Sequence, residues 1–231
     1  MGARLTQARS AFPRAAFHIA AFHIAALCLA ALILSAQNAA ALEFEASQHD
    51  GQRVLLVQGQ IQEGDDARMQ KWLQANPDTQ EILFHSPGGH FYTGLRIGVL
   101  LRQLGSATRV PKGATCASAC VWAFLGGVLR GAGEKTNIGV HMATMTTDKD
   151  AIAFIKKVLE DKTDIPFDAR LRWMISKIEK ASARIAADKA EYLVRMGVSL
   201  RLLAPGLDTD QSDTYWLSPK ELKSYNVTNS D

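Results

Sequence analysis

Beyond its first 41 residues, this 231-residue chain has no surplus of charge of either sign. It has 26 lysines and arginines, and Arg4, Arg9 and Arg14 precede residue 42 with no acidic residue beside them, so 23 basic residues face 23 acidic ones in the rest. A neutral body gives no electrostatic footprint for nucleic acid. Lys156-Lys157 and the series Arg170, Arg172, Lys177, Lys180, Arg184 lack the aromatic interleaving of a single-strand-binding groove and read as a solvated face. There is no P-loop and no metal-ligand spacing, so neither a phosphate cradle nor a metal site is expected. Repeats of about 20–50 residues and low-complexity linkers are also missing. With 47% hydrophobic and 21% charged residues, disorder is excluded, and the length suits one sizeable domain or one domain with an appendage.

Cysteine is scarce as well. Cys28 lies in the N-terminal segment, leaving Cys116 and Cys120 as a pair. In an oxidising compartment they either form a disulfide or stay reduced and buried. A bridge at this spacing needs Cys116 at a helix entrance, because four residues of regular helix hold the α-carbons near the upper part of the allowed range.

The N-terminus is ordered as a targeting segment. Residues 1–14 are polar and basic, residues 15–35 are almost wholly apolar, and Ala39-Ala40-Ala41 offers a small-residue cleavage site before Leu42. That order is a secretory signal peptide, so export is expected. An uncleaved anchor is the alternative, since the apolar run approaches the ~20 residues that span a bilayer. Membrane attachment is expected only in that case. His18 and His23 are incidental to the segment.

Further on, strands are expected at Arg53–Gln58, Glu81–His85, Ala107–Val110 and Ile138–Val140, and helices from about 64 to 76, 92 to 104 and 117 to 129. Gly105 closes the second helix as a C-cap. Alternation of short apolar strands with helices argues for α/β layering and parallel pairing. Three helical stretches follow, roughly 148–163, 168–187 and 189–203. Thr214–Leu217 resumes the strand pattern, and Ser218-Pro219-Lys220-Glu221 is a capped helix start. The layout expected is a targeting segment at 1–41, an α/β core at 42–147, a helical arm at 148–205, and a C-terminal strand and helix at 206–231 that complete the core.

Two strand–turn–helix units carry the chemistry. In Ser86-Pro87-Gly88-Gly89 the glycines allow a substrate backbone to come close, and such turns aim backbone N–H groups at developing negative charge. In Gly113-Ala114-Thr115-Cys116-Ala117-Ser118-Ala119-Cys120 small residues crowd both sides of Ser118, leaving its hydroxyl at an open helix entrance. His141 ends a strand 23 residues later. A serine hydroxyl needs an adjacent base to attack near neutral pH, and histidine has the right pKa.

The stretch from Ile82 to about Ala143 resembles the proteolytic subunit of the Clp protease, and more closely its exported bacterial relatives. The matching features are Ser86-Pro87-Gly88-Gly89 after a strand, Gly94 in the next helix, Gly113 to Ala119 before Ala123-Phe124-Leu125, and Asn137-Ile138-Gly139-Val140-His141. The resemblance covers about 60 residues firmly and the tail loosely. It implies a ClpP/crotonase-type superhelix of strand–strand–helix units with a helical arm, in a periplasmic serine peptidase acting on peptides or unfolded segments without an ATP-driven unfoldase. Ser118 would be the nucleophile and His141 the base. The oxyanion donors would be the N–H groups of Gly89 and Ala119, with Gly88 and His90 beside the substrate. No cofactor is implied, and a homo-oligomer is.

The triad acid is placed less directly. The family's aspartate precedes a segment that Trp216-Leu217-Ser218 resembles, usually by four residues from the serine. Thr214 holds that place, Asp213 precedes it, and a one-residue bulge brings Asp213 into register. Asp208 and Asp210 are the fallbacks. Met142-Ala143 stands where the family has Gln-Pro. A serine–lysine dyad is disfavoured because no lysine stands out as buried. Two other classes remain: a binding protein that keeps the groove without hydrolysis, and an acyl-CoA-processing enzyme of the crotonase group. Trp173, Ile178 and Ile185 read as core or subunit contacts.

Overall fold

Strand β2 (Gln52–Gln58) is the apolar run expected after residue 51, with Val54, Leu55 and Val57 buried. Burial on both faces suits an inner strand of a parallel sheet. The computed structural model describes residues 41–49, 51–143, 149–160 and 163–230. Apart from Ala41, residues 1–41, expected to form a targeting segment, lie outside the described residues. β1 (Glu43–His49) pairs antiparallel with β2, and β2 pairs parallel with β3 (Glu81–His85). Two more parallel partners, β4 (Ala107–Val110) and β6 (Arg130–Ala132), give the order β1-β2-β3-β4-β6. A second sheet runs β5 (Thr115–Ala117), β7 (Asn137–Val140), β8 (Tyr215–Trp216), the first pair parallel and the last antiparallel.

Helix α1 (Asp65–Ala75) buries Met69 and Leu73. Helices α2 (Phe91–Gln103) and α3 (Ala119–Phe124) are each followed by two strands, one for each sheet. Their contact is close because it has few side chains in it. A β-carbon on Gly94 would stand 2.4 Å from the Ala119 carbonyl oxygen, and one on Gly126 would stand 2.1 Å from that of Gly98. The α/β class with mixed sheets is therefore as the sequence implies.

Several elements differ from expectation. α3 has six residues and stops at Phe124 rather than near 129, where Gly126 and Gly127 follow. β1 and β6 were not foreseen. β1 is a largely exposed edge strand without apolar alternation, and β6 is three residues long with a glycine at its centre. After α4 (Lys149–Glu160) comes α5 (Phe167–Met196), one helix of 30 residues where two were expected. No glycine or proline interrupts it, and it ends at Gly197 in the left-handed conformation, φ 65°.

The first part of α5 exposes Trp173 and Ile178, so neither is core. Its last part buries Lys189, Tyr192, Leu193 and Met196, and Tyr192 Oη donates to the Trp122 carbonyl. A short 3-10 helix (Leu200–Leu202), α6 (Leu203–Asp208) and α7 (Pro219–Ser224) complete the described chain. The foreseen capping box at Ser218 and Glu221 is present. Arg130, 1% exposed, ties in the tail by donating to the carbonyls of Gly127, Asn226 and Val227.

Candidate active site

The turn after β3 is clamped on two sides. Ser86 N–H donates to the Thr115 carbonyl, the Ala117 N–H donates to the Ser86 carbonyl, and Ser86 Oγ accepts the Gly88 N–H. On the other flank, Ile61 N–H donates to the Gly88 carbonyl at 2.7 Å, and His90 N–H donates to the Ile61 carbonyl at 2.8 Å. A trans peptide points its N–H opposite its carbonyl. Because the Gly88 carbonyl is drawn toward Ile61, the N–H of Gly89 is turned the other way, and it finds no acceptor among the described residues. Gly88 (φ 100°) and Gly89 (φ 137°) both need the freedom of glycine. A β-carbon on Gly88 would lie 2.6 Å from Ser118 Cβ and 2.9 Å from Ala119 N, which puts this turn directly against the serine.

Ser118 stands between β5 and α3 with φ 56° and ψ −123°. Non-glycine residues rarely adopt such a backbone, and the cost is held by the surroundings. Here the Ser118 N–H is fixed to the Gly139 carbonyl at 2.9 Å, and its carbonyl accepts from Val121 at 3.0 Å. A disulfide between Cys116 and Cys120 spans the turn, with α-carbons 5.2 Å apart. Cys116 sits on β5, before the helix, which brings the α-carbons within the bridging range. The sharp turn presents the half-buried hydroxyl at the mouth of α3 and leaves the Ala119 N–H, at the first helical position, without an acceptor among the described residues. Gly89 and Ala119 therefore offer two free N–H groups flanking the serine.

His141 follows β7 directly. Its Nδ1 lies 2.8 Å from the Met142 carbonyl oxygen. A carbonyl only accepts, so Nδ1 carries the proton and Nε2 keeps its lone pair. That is the tautomer a base for serine requires. Met142 N–H is itself anchored to the Thr209 carbonyl at 2.9 Å. Among the described residues, no hydrogen bond joins Ser118 Oγ to His141.

Asp213 is not bonded to the histidine among the described residues. It is exposed, and its carboxylate accepts the Thr214 N–H at 2.7 Å. Asp208 and Asp210 are exposed too. His90 serves as the N-cap of α2, its Nδ1 accepting the Thr93 N–H at 3.3 Å. This helps fix the turn that carries Gly89.

Ser118, His141, Gly89 and His90 line one cavity of about 710 Å³, together with Gln60 to Glu63, Trp122 and Gln211. Lys189 lines it as well, at 2% exposure, which corrects the reading that no lysine is buried. Its position was legible in outline, since Ile185, Lys189, Tyr192, Leu193 and Met196 share one helix face. Ile185 is half-buried on the cavity wall. Among the described residues, no cluster of His, Cys, Asp or Glu could hold a metal ion, and no helix is long and apolar enough to cross a membrane.

Solved structures similar to this chain include two proteases of related architecture. A point variant of ClpP1 from Listeria monocytogenes is 20% identical, with a TM-score of 0.45, over 74% of this chain and 85% of its own. An alanine variant of the 1510-N membrane-bound stomatin-specific protease is 15% identical, with a TM-score of 0.39, over 74% of each chain. Another alanine variant of that protease, in complex with a substrate peptide, is 15% identical, with a TM-score of 0.43, over 72% of this chain and 66% of its own. Similarity at this level assigns no role to any residue. No protein-family model matches the sequence, and no curated protein matches it.

Proposed function

We propose that the chain is an exported, ClpP-like serine hydrolase that cleaves peptides or unfolded segments without ATP, through an acyl-enzyme on Ser118. The observation that carries this reading is the backbone of Ser118, φ 56° and ψ −123°, held between strand and helix in a cavity that His141 shares. Strained serines at strand-to-helix turns present the hydroxyl to substrate. In the reaction, Ser118 Oγ attacks the peptide carbonyl while His141 Nε2 takes its proton. The carbonyl oxygen becomes an oxyanion between the N–H groups of Gly89 and Ala119. Collapse breaks the C–N bond as the imidazolium returns the proton to the leaving amine. A water, deprotonated by the same ring, then attacks the ester carbonyl, and the C–O bond to Ser118 breaks as the imidazolium returns the proton to Oγ.

The two-sheet alternation is the superhelix of strand–strand–helix units of the ClpP/crotonase group. The core runs over 42–147 and 206–231, the arm over 148–205, and the arm mediates a homo-oligomer. Residues 1–41 direct export to the periplasm and are removed, or remain as an inner-membrane anchor. No cofactor takes part. Orientation of His141 falls to the Met142 carbonyl or to Asp213 after a shift of its loop.

A fluorophosphonate probe tests the hydrolase. Stoichiometric labelling is expected, lost in Ser118→Ala and strongly slowed in His141→Ala. The unbonded Ser118 hydroxyl and the engaged Asp213 carboxylate favour a second reading, a peptide-binding protein without hydrolysis. Folded protein that stays unlabelled at millimolar probe overturns the first reading in favour of the second. Tight coenzyme A binding would instead mark an acyl-CoA enzyme.

A further inference from the structure

Lys189 presents a chemical problem that the proposed hydrolysis does not use. It sits on α5 at 2% exposure, and its amine faces a corner of two aromatic rings, 5.6 Å from the centroid of Phe91 and 5.5 Å from that of Trp122. Those rings meet edge to face at 5.8 Å. The adjacent carboxylate in sequence, Asp188, is committed elsewhere, to Arg184 at 2.7 Å and to Tyr92 at 3.2 Å. Among the described residues Lys189 has no ion pair and no hydrogen bond. Burial pulls its ammonium down to about 8, which leaves it mostly protonated at neutral pH. A desolvated cation is costly unless an anion answers it, and ring faces answer it only in part.

We propose that Lys189 is the anchor for a substrate carboxylate, so that the hydrolase selects peptides bearing an anionic group beside the bond cleaved at Ser118. The cavity wall already holds the ammonium, the serine and the histidine together. A peptide whose carbonyl rests against Gly89 and Ala119 lies in the same space as the amine. Glu63 is the one carboxylate among the described cavity-lining residues, and it is exposed on the loop before α1. An incoming carboxylate therefore meets one buried positive charge that nothing else neutralises. Its source is either the C-terminus of a short peptide or an Asp or Glu side chain, both with the same chemistry. The inference rests on the hydrolase reading for the placement of the scissile bond, but not for the binding itself.

Calorimetry on Ser118→Ala protein tests it without turnover. One pair of ligands is acetyl-tetra-alanine as the free acid and as the carboxamide. The other is acetyl-Ala-Ala-Glu-Ala-Ala-amide and its glutamine counterpart. The charged member of at least one pair should bind roughly 10–100-fold more tightly, the range for a hydrogen bond to a charged partner, and the preference should vanish in Ser118→Ala/Lys189→Met. The first pair reports a terminal carboxylate and the second a side chain. Equal affinity within both pairs overturns the proposal whether or not the Lys189 variant folds. So does a preference that survives Lys189→Met. Equal affinities combined with loss of fluorophosphonate labelling in Lys189→Met would make the amine a base instead. Failed labelling of otherwise native protein with the preference intact would sink the hydrolase and leave the carboxylate site standing.

Discussion

Replacing Ser118 with glycine should make the protein more stable than replacing it with alanine, the reverse of the usual order. At an ordinary position glycine is worse than alanine by about 0.5–1 kcal/mol, because it has more backbone freedom to lose. Ser118 is held at φ 56° and ψ −123°, a conformation whose cost for a residue with a β-carbon is about 1–3 kcal/mol. Alanine keeps that strain and glycine removes it. Taking the middle of each range, glycine gains about 1 kcal/mol over alanine at this position, or roughly 2–4 °C in Tm for a chain of this size. The loss of the hydroxyl is common to both variants and cancels. Thermal unfolding of the two proteins side by side, with the disulfide intact, is the measurement. An alanine variant that melts above the glycine variant would mean that the turn is relaxed, and the case for a strained nucleophile would fall with it. Neither variant should label with fluorophosphonate, so stability and reactivity separate cleanly.

Two further outcomes follow from the same region and its flank. Removing the bridge in Cys116→Ala/Cys120→Ala releases a five-residue loop, which by chain entropy should cost about 2 kcal/mol. The labelling rate at Ser118 should fall with it, since the bridge spans the turn, and a double variant with unchanged Tm and labelling would show the bridge to be idle. At the far end, Glu221 accepts from Ser218 and Tyr215, which holds its carboxyl down at about 2 against an ordinary value near 4.5. The depressed value means that its stabilisation is complete above about pH 4.5 and fades as pH falls toward about 2. Glu221 is half-buried at the protein surface, so solvent screening keeps the contribution within about 1 kcal/mol. Glu221→Gln should therefore lower Tm at pH 7 and have little effect at pH 2, and an equal drop at both would refute the capping account.

The chemistry of single residues was legible in the sequence, and the directions of their backbones were not. Gly88, Gly89, Ser118 and His141 stood out because their residue types and order suit acyl transfer, and all four meet at one cavity wall or its supporting turn. The strands before Gly88 and His141 were readable from the apolar runs Ile82 to Phe84 and Ile138 to Val140, whereas β5 before Ser118 was not foreseen. β1 and β6 were not, since an exposed edge strand and a three-residue strand leave no apolar period to detect. The free state of the Gly89 N–H depends on Ile61, 28 residues earlier, capturing the Gly88 carbonyl. No local pattern encodes that contact. Lys189 was missed for the opposite reason: the pattern placed it on an apolar face, but lysine there reads as a side chain that escapes to solvent.

Together, Lys189 and His141 change how the site works electrostatically. In a serine–histidine–aspartate site, a buried carboxylate fixes the ring and offsets the imidazolium that forms. Here His141 Nδ1 rests on a neutral backbone carbonyl, and the nearest acid in sequence register, Asp213, spends its carboxylate on Thr214. The cavity wall also holds Lys189, whose ammonium has no anion among the described residues. An imidazolium on His141 would likewise have no carboxylate of the described chain bonded to it. A substrate carboxylate on Lys189 would bring a negative charge into the same cavity just as the imidazolium develops. In the proposed hydrolase the bound anion would thus do more than hold the peptide: its charge would offset the imidazolium as it forms, tying reactivity at Ser118 to the charge of the substrate.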